Sequence, residues 1–237
     1  MSINLSDYVS AGYYITKQIT RGDWQSAELL SDRFLSVSHC LAKIAPIIYW
    51  ANSQEDFDAF GIPDTLRPEF EQWCNERFDK EIGFPDVTYH LETARDFIAK
   101  FIPQKDDLFL LGAGLHKDFI EPFLLVEPTL RVGVQDEGER GLAHIIGQRS
   151  PLPEGEMLGY EVVCSDFGDI NHSWLCNGLE KDGWERLQIR PNQHGFIETY
   201  EEAKKFTEFI MTAPDIYGEP GFYMPLLIIN YPLEQPL

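Results

Sequence analysis

The chain has 237 residues, enough for one large domain with a buried core. Its 43% hydrophobic and 13% aromatic content excludes a disordered chain. A formal net charge of −20, from 39 acidic and 19 basic residues, disfavours nucleic acid and anionic membrane as partners and favours a basic one.

The acid is spread along the chain and is not a tail. No run of about 18 apolar residues is present, so no transmembrane helix is expected. The start, "MSINLSDYVSAGYY", lacks the basic and apolar regions of a secretory signal. A cytoplasmic protein is the expectation, with Cys40, Cys74, Cys164 and Cys176 reduced.

In chain order, "LSDYVSAGYYITKQIT" reads as a helix capped at Ser6 or Asp7. Residues 23–52 follow, where Leu30, Phe34, Val37, Leu41, Ile44 and Ile48 recur at spacings of 4, 3, 4, 3 and 4, the stripe of an amphipathic helix that Pro46 kinks or ends. Three shorter helices are predicted over 53–61, 64–83 and 86–103, the last with Leu91, Ala94, Phe97, Ile98 and Phe101 inward. The pattern then changes. Residues 106–115 read as a strand, 121–127 and 130–135 as strands or loop edges, and 136–149 as a helix capped by Asp136. Two strands, 157–166 and 170–177, form a hairpin around "FGD". A short helix or turn over 179–189 and an amphipathic helix over 198–213 precede a last strand, "FYMPLLIINYPL". Pro225 suggests that this strand lies at a sheet edge or carries a bulge. The expected fold class is therefore α+β: a helical N-terminal part (1–104), then a mostly antiparallel sheet with flanking helices (105–237), as two lobes of a single domain.

The stretch "GYEVVCSDFGDINHSWLCNGLE" concentrates reactive residue types. As a strand, it places His172 and Cys176 on one face but about 13 Å apart, too far to share a metal. Ser173 points away from His172. Cys164 lies across the hairpin in a register that the sequence leaves open. "LLGAGLHKDF" follows a strand with Gly112 and Gly114, but Lys117 occupies the place of the third glycine in a dinucleotide fingerprint. No phosphate loop or nucleophile elbow occurs, so no cofactor, metal or catalytic residue is expected. Asp166, Asp169, His172, Ser173, Trp174, Asn177 and Trp184 are the candidate partner-binding residues, with Tyr200 as a further aromatic anchor.

The segments "LGYE" (158–161), "HSWLCN" (172–177) and "NQHGFI" (192–197), with Ala203 in the following helix, resemble the C-terminal pattern of uncharacterised bacterial proteins akin to immunity proteins of polymorphic toxin systems. The resemblance covers the last third of the chain. It implies a cytoplasmic protein that binds and neutralises a toxin domain. A nuclease toxin would offer the basic surface that this acidity suits. The alternative reading is a small hydrolase or transferase that uses Cys164, His172 or Cys176.

Overall fold

The N-terminal segment that reads as a helix is a strand. A single turn at Leu5–Asp7, capped by Asn4, leads into β1 (Tyr8–Lys17). Nearly every residue of β1 is buried, so both of its faces are covered and no polar side marks a period. A continuous apolar run of this kind carries no helical or strand periodicity, and its tyrosines, Val9, Ile15 and Thr16 suit a pleated surface. The computed structural model describes residues 3–47, 53–83, 86–130, 141–166, 169–176, 178–213, 215–216 and 218–234.

Residues 23–47 also depart from the helical expectation. They hold turns, β3 (Arg33–Phe34), which pairs with the preceding β2 (Ile19–Thr20) in a two-stranded ribbon, and a buried extended stretch over 34–38. The apparent stripe divides between two cores: Leu30 and Phe34 belong to one, Val37 and Ile44 to the other. Ile48 lies outside the described residues.

The helices α1 (Gln54–Ala59), α2 (Arg67–Arg77) and α3 (Leu91–Phe101) follow the expected order. A Ser53–Asp56 capping box starts α1. The predicted helix over 64–83 stops early, because Asp79 takes a left-handed φ of 61° and β4 (Ile82–Gly83) begins; the helix predicted over 86–103 starts late, at Leu91, because β5 (Val87–Thr88) occupies its first residues. Beyond β6 (Leu108–His116), α4 (Lys117–Leu130) replaces the expected strand or loop edge. Phe119, Ile120, Phe123 and Glu127 are buried at helical spacing, while Pro122 and Pro128 face solvent. Next come α5 (Leu142–Gly147), β7 (Glu156–Asp166), β8 (Asp169–Ser173), α6 (Leu179–Asp182), α7 (Tyr200–Thr212) and β9 (Phe222–Tyr231). The cap proposed at Asp136 lies outside the described residues.

One antiparallel seven-stranded sheet, in the order β4-β5-β1-β6-β9-β7-β8, organises the described residues. β1 lies between β5 and β6, so a lobe boundary near residue 104 would pass through the middle of this sheet. The fold is α+β, but its N-terminal part is rich in strands. β9 is central, between β6 and β7, and not at an edge. Its Pro225 pairs only with β7, since the β6 ladder ends one residue on, at Leu115–Leu226. Locally the proline therefore has the free side that the ladder demands of it.

Helices cover both faces. On one, α1, α2, α3 and α7 bury Phe57, Phe70, Trp73, Phe97, Phe101 and Phe206 against Ile15, Leu110, Val162 and Leu227. On the other, α4 and α5 bury Phe123, Ile145 and Ile146 against Leu111, Ala113, Val163 and Leu226. No helix among the described residues is long and apolar enough to cross a membrane.

Candidate functional site

The β7–β8 register pairs Val163 with Ser173 and Cys164 with His172, with a bulge before Ser165. The hairpin does not present the recognition face expected of it. Ser173 and Trp174 are fully buried, and Trp174 packs edge-to-face on Phe206 with ring centroids 5.1 Å apart. Asp169 is buried too. It accepts the Ile170 N–H at 2.5 Å and lies 3.7 Å from His39 Nε2, and burial pushes its carboxyl well above the usual range. These three side chains offer nothing to a partner. Asp166 and His172 are half-buried and Trp184 is exposed, whereas Asn177 lies outside the described residues. Trp184 has company that the sequence did not reveal. The Arg190 guanidinium sits 5.1 Å from its ring, and Arg190 also donates to the Glu28 carbonyl.

The two-face reading of 170–177 fails for a specific reason. β8 ends at Ser173, and a turn closed by the Cys176 N–H on the Ser173 carbonyl, at 2.9 Å, folds Cys176 back over His172. Cys40 reaches the same place from the other end of the chain. Its N–H donates to the Asn171 carbonyl at 2.9 Å, and the His39 N–H donates to that of Ile170 at 3.0 Å, so this segment covers the outer edge of β8. Cys40 and Cys176 are joined as a disulfide, with Cα atoms 6.6 Å apart, so of the four cysteines expected to be reduced only Cys74 and Cys164 remain thiols. Together with a His172 ring nitrogen, the Cys40 and Cys176 sulfurs form a group whose ligand atoms all lie within 4.8 Å of one another. The separation argument against a metal at His172 and Cys176 therefore falls.

Cys164 stands apart. It is buried, and burial, with Asp166 nearby, pushes its thiol up to about 12. Such a thiol carries almost no thiolate at neutral pH.

The residues that gather into a cleft come from four separate elements. Tyr8 opens β1, His116 closes β6, Tyr160 sits in β7 and Tyr200 begins α7. The Tyr8 and Tyr160 hydroxyls share a hydrogen bond at 2.8 Å, and His116 stacks on Tyr200 with centroids 4.2 Å apart. The Tyr200 hydroxyl donates to Asp118 at 3.2 Å. These rings wall a cleft of about 440 Å³, whose lining also includes Asp7, Met157, Glu198 and Glu201. Burial raises the three phenols and lowers the His116 imidazole, so all four rings are neutral near pH 7. The charge of the cleft is therefore that of its carboxylates. A hydrogen bond from Lys117 holds the Asp7 carboxyl below its usual value.

Two of the three sequence segments noted above, 158–161 and 192–197, meet here. A bridge joins Tyr160 to Ile197 by reciprocal N–H···O bonds of 2.8 Å. Asn192 organises the 192–197 turn by accepting the His194 and Phe196 N–H groups, and it donates to the Leu158 carbonyl at 2.8 Å. Gly159 sits at a bulge with φ +130°, where a Cβ would lie 2.7 Å from the Ile197 carbonyl oxygen. Gly159→Ala is expected to cost about 2–4 kcal/mol, read as a lower urea midpoint, because both the backbone and the bridge must shift.

No protein-family model, curated protein or solved structure matches the chain.

Proposed function

We propose that the protein binds and neutralises a basic protein partner, a toxin domain of the kind that immunity proteins hold, and takes a lysine or arginine side chain of that partner into the tyrosine cleft. The observation that carries this reading is the lining itself: Tyr8, Tyr160 and Tyr200 with the exposed carboxylates Glu198 and Glu201, whereas Asp7 is already paired with Lys117 and Lys204 lies 6.0 Å from the Tyr200 ring. Aromatic faces and carboxylates around one recess suit a cation, since the ring quadrupole and the carboxylate charge attract it together. The net charge of −20 would steer a basic domain toward this face. The hydrolase alternative loses support at Cys164, whose buried thiol lacks the exposure and the thiolate that a nucleophile needs.

The test uses any secreted toxin domain that a gene adjacent to this one encodes. Co-expression should protect cells from it, and the purified pair should associate more weakly as salt rises. A Glu198→Lys/Glu201→Lys variant should bind about 10- to 100-fold more weakly at low salt. Both carboxylates are exposed, so its fold should be intact. Parent-like binding by the variant would remove the cleft from the interface. Failure to protect against any adjacent toxin domain would remove the function.

A further inference from the structure

We infer that Cys40, His172 and Cys176 form a binding site for a thiophilic divalent cation, with zinc as the expected occupant. Their two sulfurs and one ring nitrogen all lie within 4.8 Å of one another, a grouping that one ion could bridge. The donor set, two thiolates and an imidazole, is the one that zinc prefers. The site is built by backbone and not by chance proximity of long side chains. The Cys40 N–H is bound to Asn171, beside His172, and the 173–176 turn sets Cys176.

The surroundings favour thiolates. The Ser173 N–H donates to the Cys176 sulfur at 3.2 Å, and the Ser38 hydroxyl lies 3.7 Å from that of Cys40. Donors of this kind stabilise negative sulfur and hold ligands in place around a metal. His39, next in the chain to Cys40, turns to Asp169 and is not one of the three ligands. Cys40 is exposed and the other two are half-buried, so an ion has a path in and a fourth position for water or a partner's group. The structure holds these two sulfurs as a disulfide, so the metal site belongs to the reduced protein and the two states compete for the same sulfurs. A thiol reductant must first cleave the Cys40–Cys176 disulfide, giving it two electrons and two protons and becoming a disulfide itself; the reduced site then exchanges two thiol protons for the ion with no further change of oxidation state.

The experiment takes the full chain, purified under reducing conditions and stripped with a chelator, and titrates it anaerobically with Co²⁺ and then Zn²⁺. One equivalent of Co²⁺ should give the thiolate charge-transfer and tetrahedral d–d absorption, and Zn²⁺ should displace it. Cys40→Ser and His172→Ala should each weaken binding at least 10-fold, whereas Cys74→Ser should not. Circular dichroism and thermal melting of each variant separate a lost ligand from a lost fold, and the exposure of Cys40 makes Cys40→Ser the safest comparison. Alkylation and mass spectrometry of protein from a reducing lysate complete the test. Free Cys40 and Cys176 with one-equivalent binding support the site. No charge-transfer band, full binding by Cys40→Ser, or a Cys40–Cys176 disulfide that persists in the reducing lysate overturns it. The proposal does not depend on the cleft and stands or falls separately from it.

Discussion

Replacing Trp174 by alanine is expected to cost about 3–5 kcal/mol and to lower Tm by about 10 °C or more, without any effect specific to a partner. The side chain is fully buried and packs on Phe206 of α7, among Leu175, Leu179 and Ala203 of the same core. Truncation removes a large ring where a backbone turn and a helix meet, and neither can collapse into the space freely. Trp174→Phe should recover most of the loss. It keeps a ring against Phe206 and deletes an indole N–H that has no hydrogen-bond partner among the described residues. Trp184→Ala makes the contrast, since that ring is 37% exposed and its removal should change stability by about 1 kcal/mol or less. A thermal melt of the three variants decides the matter. Equal losses for Trp174→Ala and Trp184→Ala would contradict this placement of the two rings.

Glu161→Ala should destabilise the fold by about 2–5 kcal/mol. The carboxylate lies fully buried in mid-sheet on β7 and faces the segment that crosses it. It accepts the Ser36 hydroxyl at 2.5 Å and the Val37 N–H at 2.9 Å. It is therefore the clamp that holds residues 36–38 against the sheet, and alanine would leave two buried donors unmet. Glu161→Gln separates shape from charge. Burial raises the folded pKa of Glu161 above its ordinary 4.5, against the hydrogen bonds that lower it. A group with a raised folded pKa binds its proton more tightly when folded. The parent is therefore most favoured, as far as this group is concerned, below about pH 4.5, and it loses that contribution as pH rises toward the folded pKa. The glutamine variant lacks this titration, so its deficit relative to the parent should shrink as pH rises from 4.5. Denaturant titrations of parent and variant across that range report it. A deficit that grows with rising pH would mean that the folded pKa is depressed.

The sequence reading succeeded where one face of an element meets solvent. The faces of α3 and α7 were legible because Ala94, Phe97, Ile98 and Phe101, and Ala203, Phe206 and Ile210, alternate with charged residues at helical spacing. Ser53 and Gly61 marked α1 by capping chemistry alone. The β7–β8 hairpin was legible from its two short β-rich runs around "FGD", although β7 is covered on both faces. Reading failed at β1, although β6 and β9, equally covered on both faces, were legible as short apolar runs after turn signals. β1 is sandwiched between two cores, so its tyrosines carry no period, and its neighbour β6 stands about a hundred residues away. The spacing of Leu30, Phe34, Val37 and Ile44 imitated a helix because an extended segment crossing from one core to the other also puts an apolar residue every three or four positions.

The sequence by itself determined the faces of α3 and α7, the hairpin, the acidity, and the concentration of chemistry in 159–180. Only the tertiary structure decided which of those residues could act. It buried Asp169, Ser173 and Trp174, raised Cys164 out of reactivity, and brought Cys40 to Cys176 across a separation of 136 residues. It also assembled Tyr8, His116, Tyr160 and Tyr200 into one cleft. Local sequence encodes the period and the caps of an element. Which distant elements then share a wall depends on sheet order and strand register, and these follow from the burial of the whole chain.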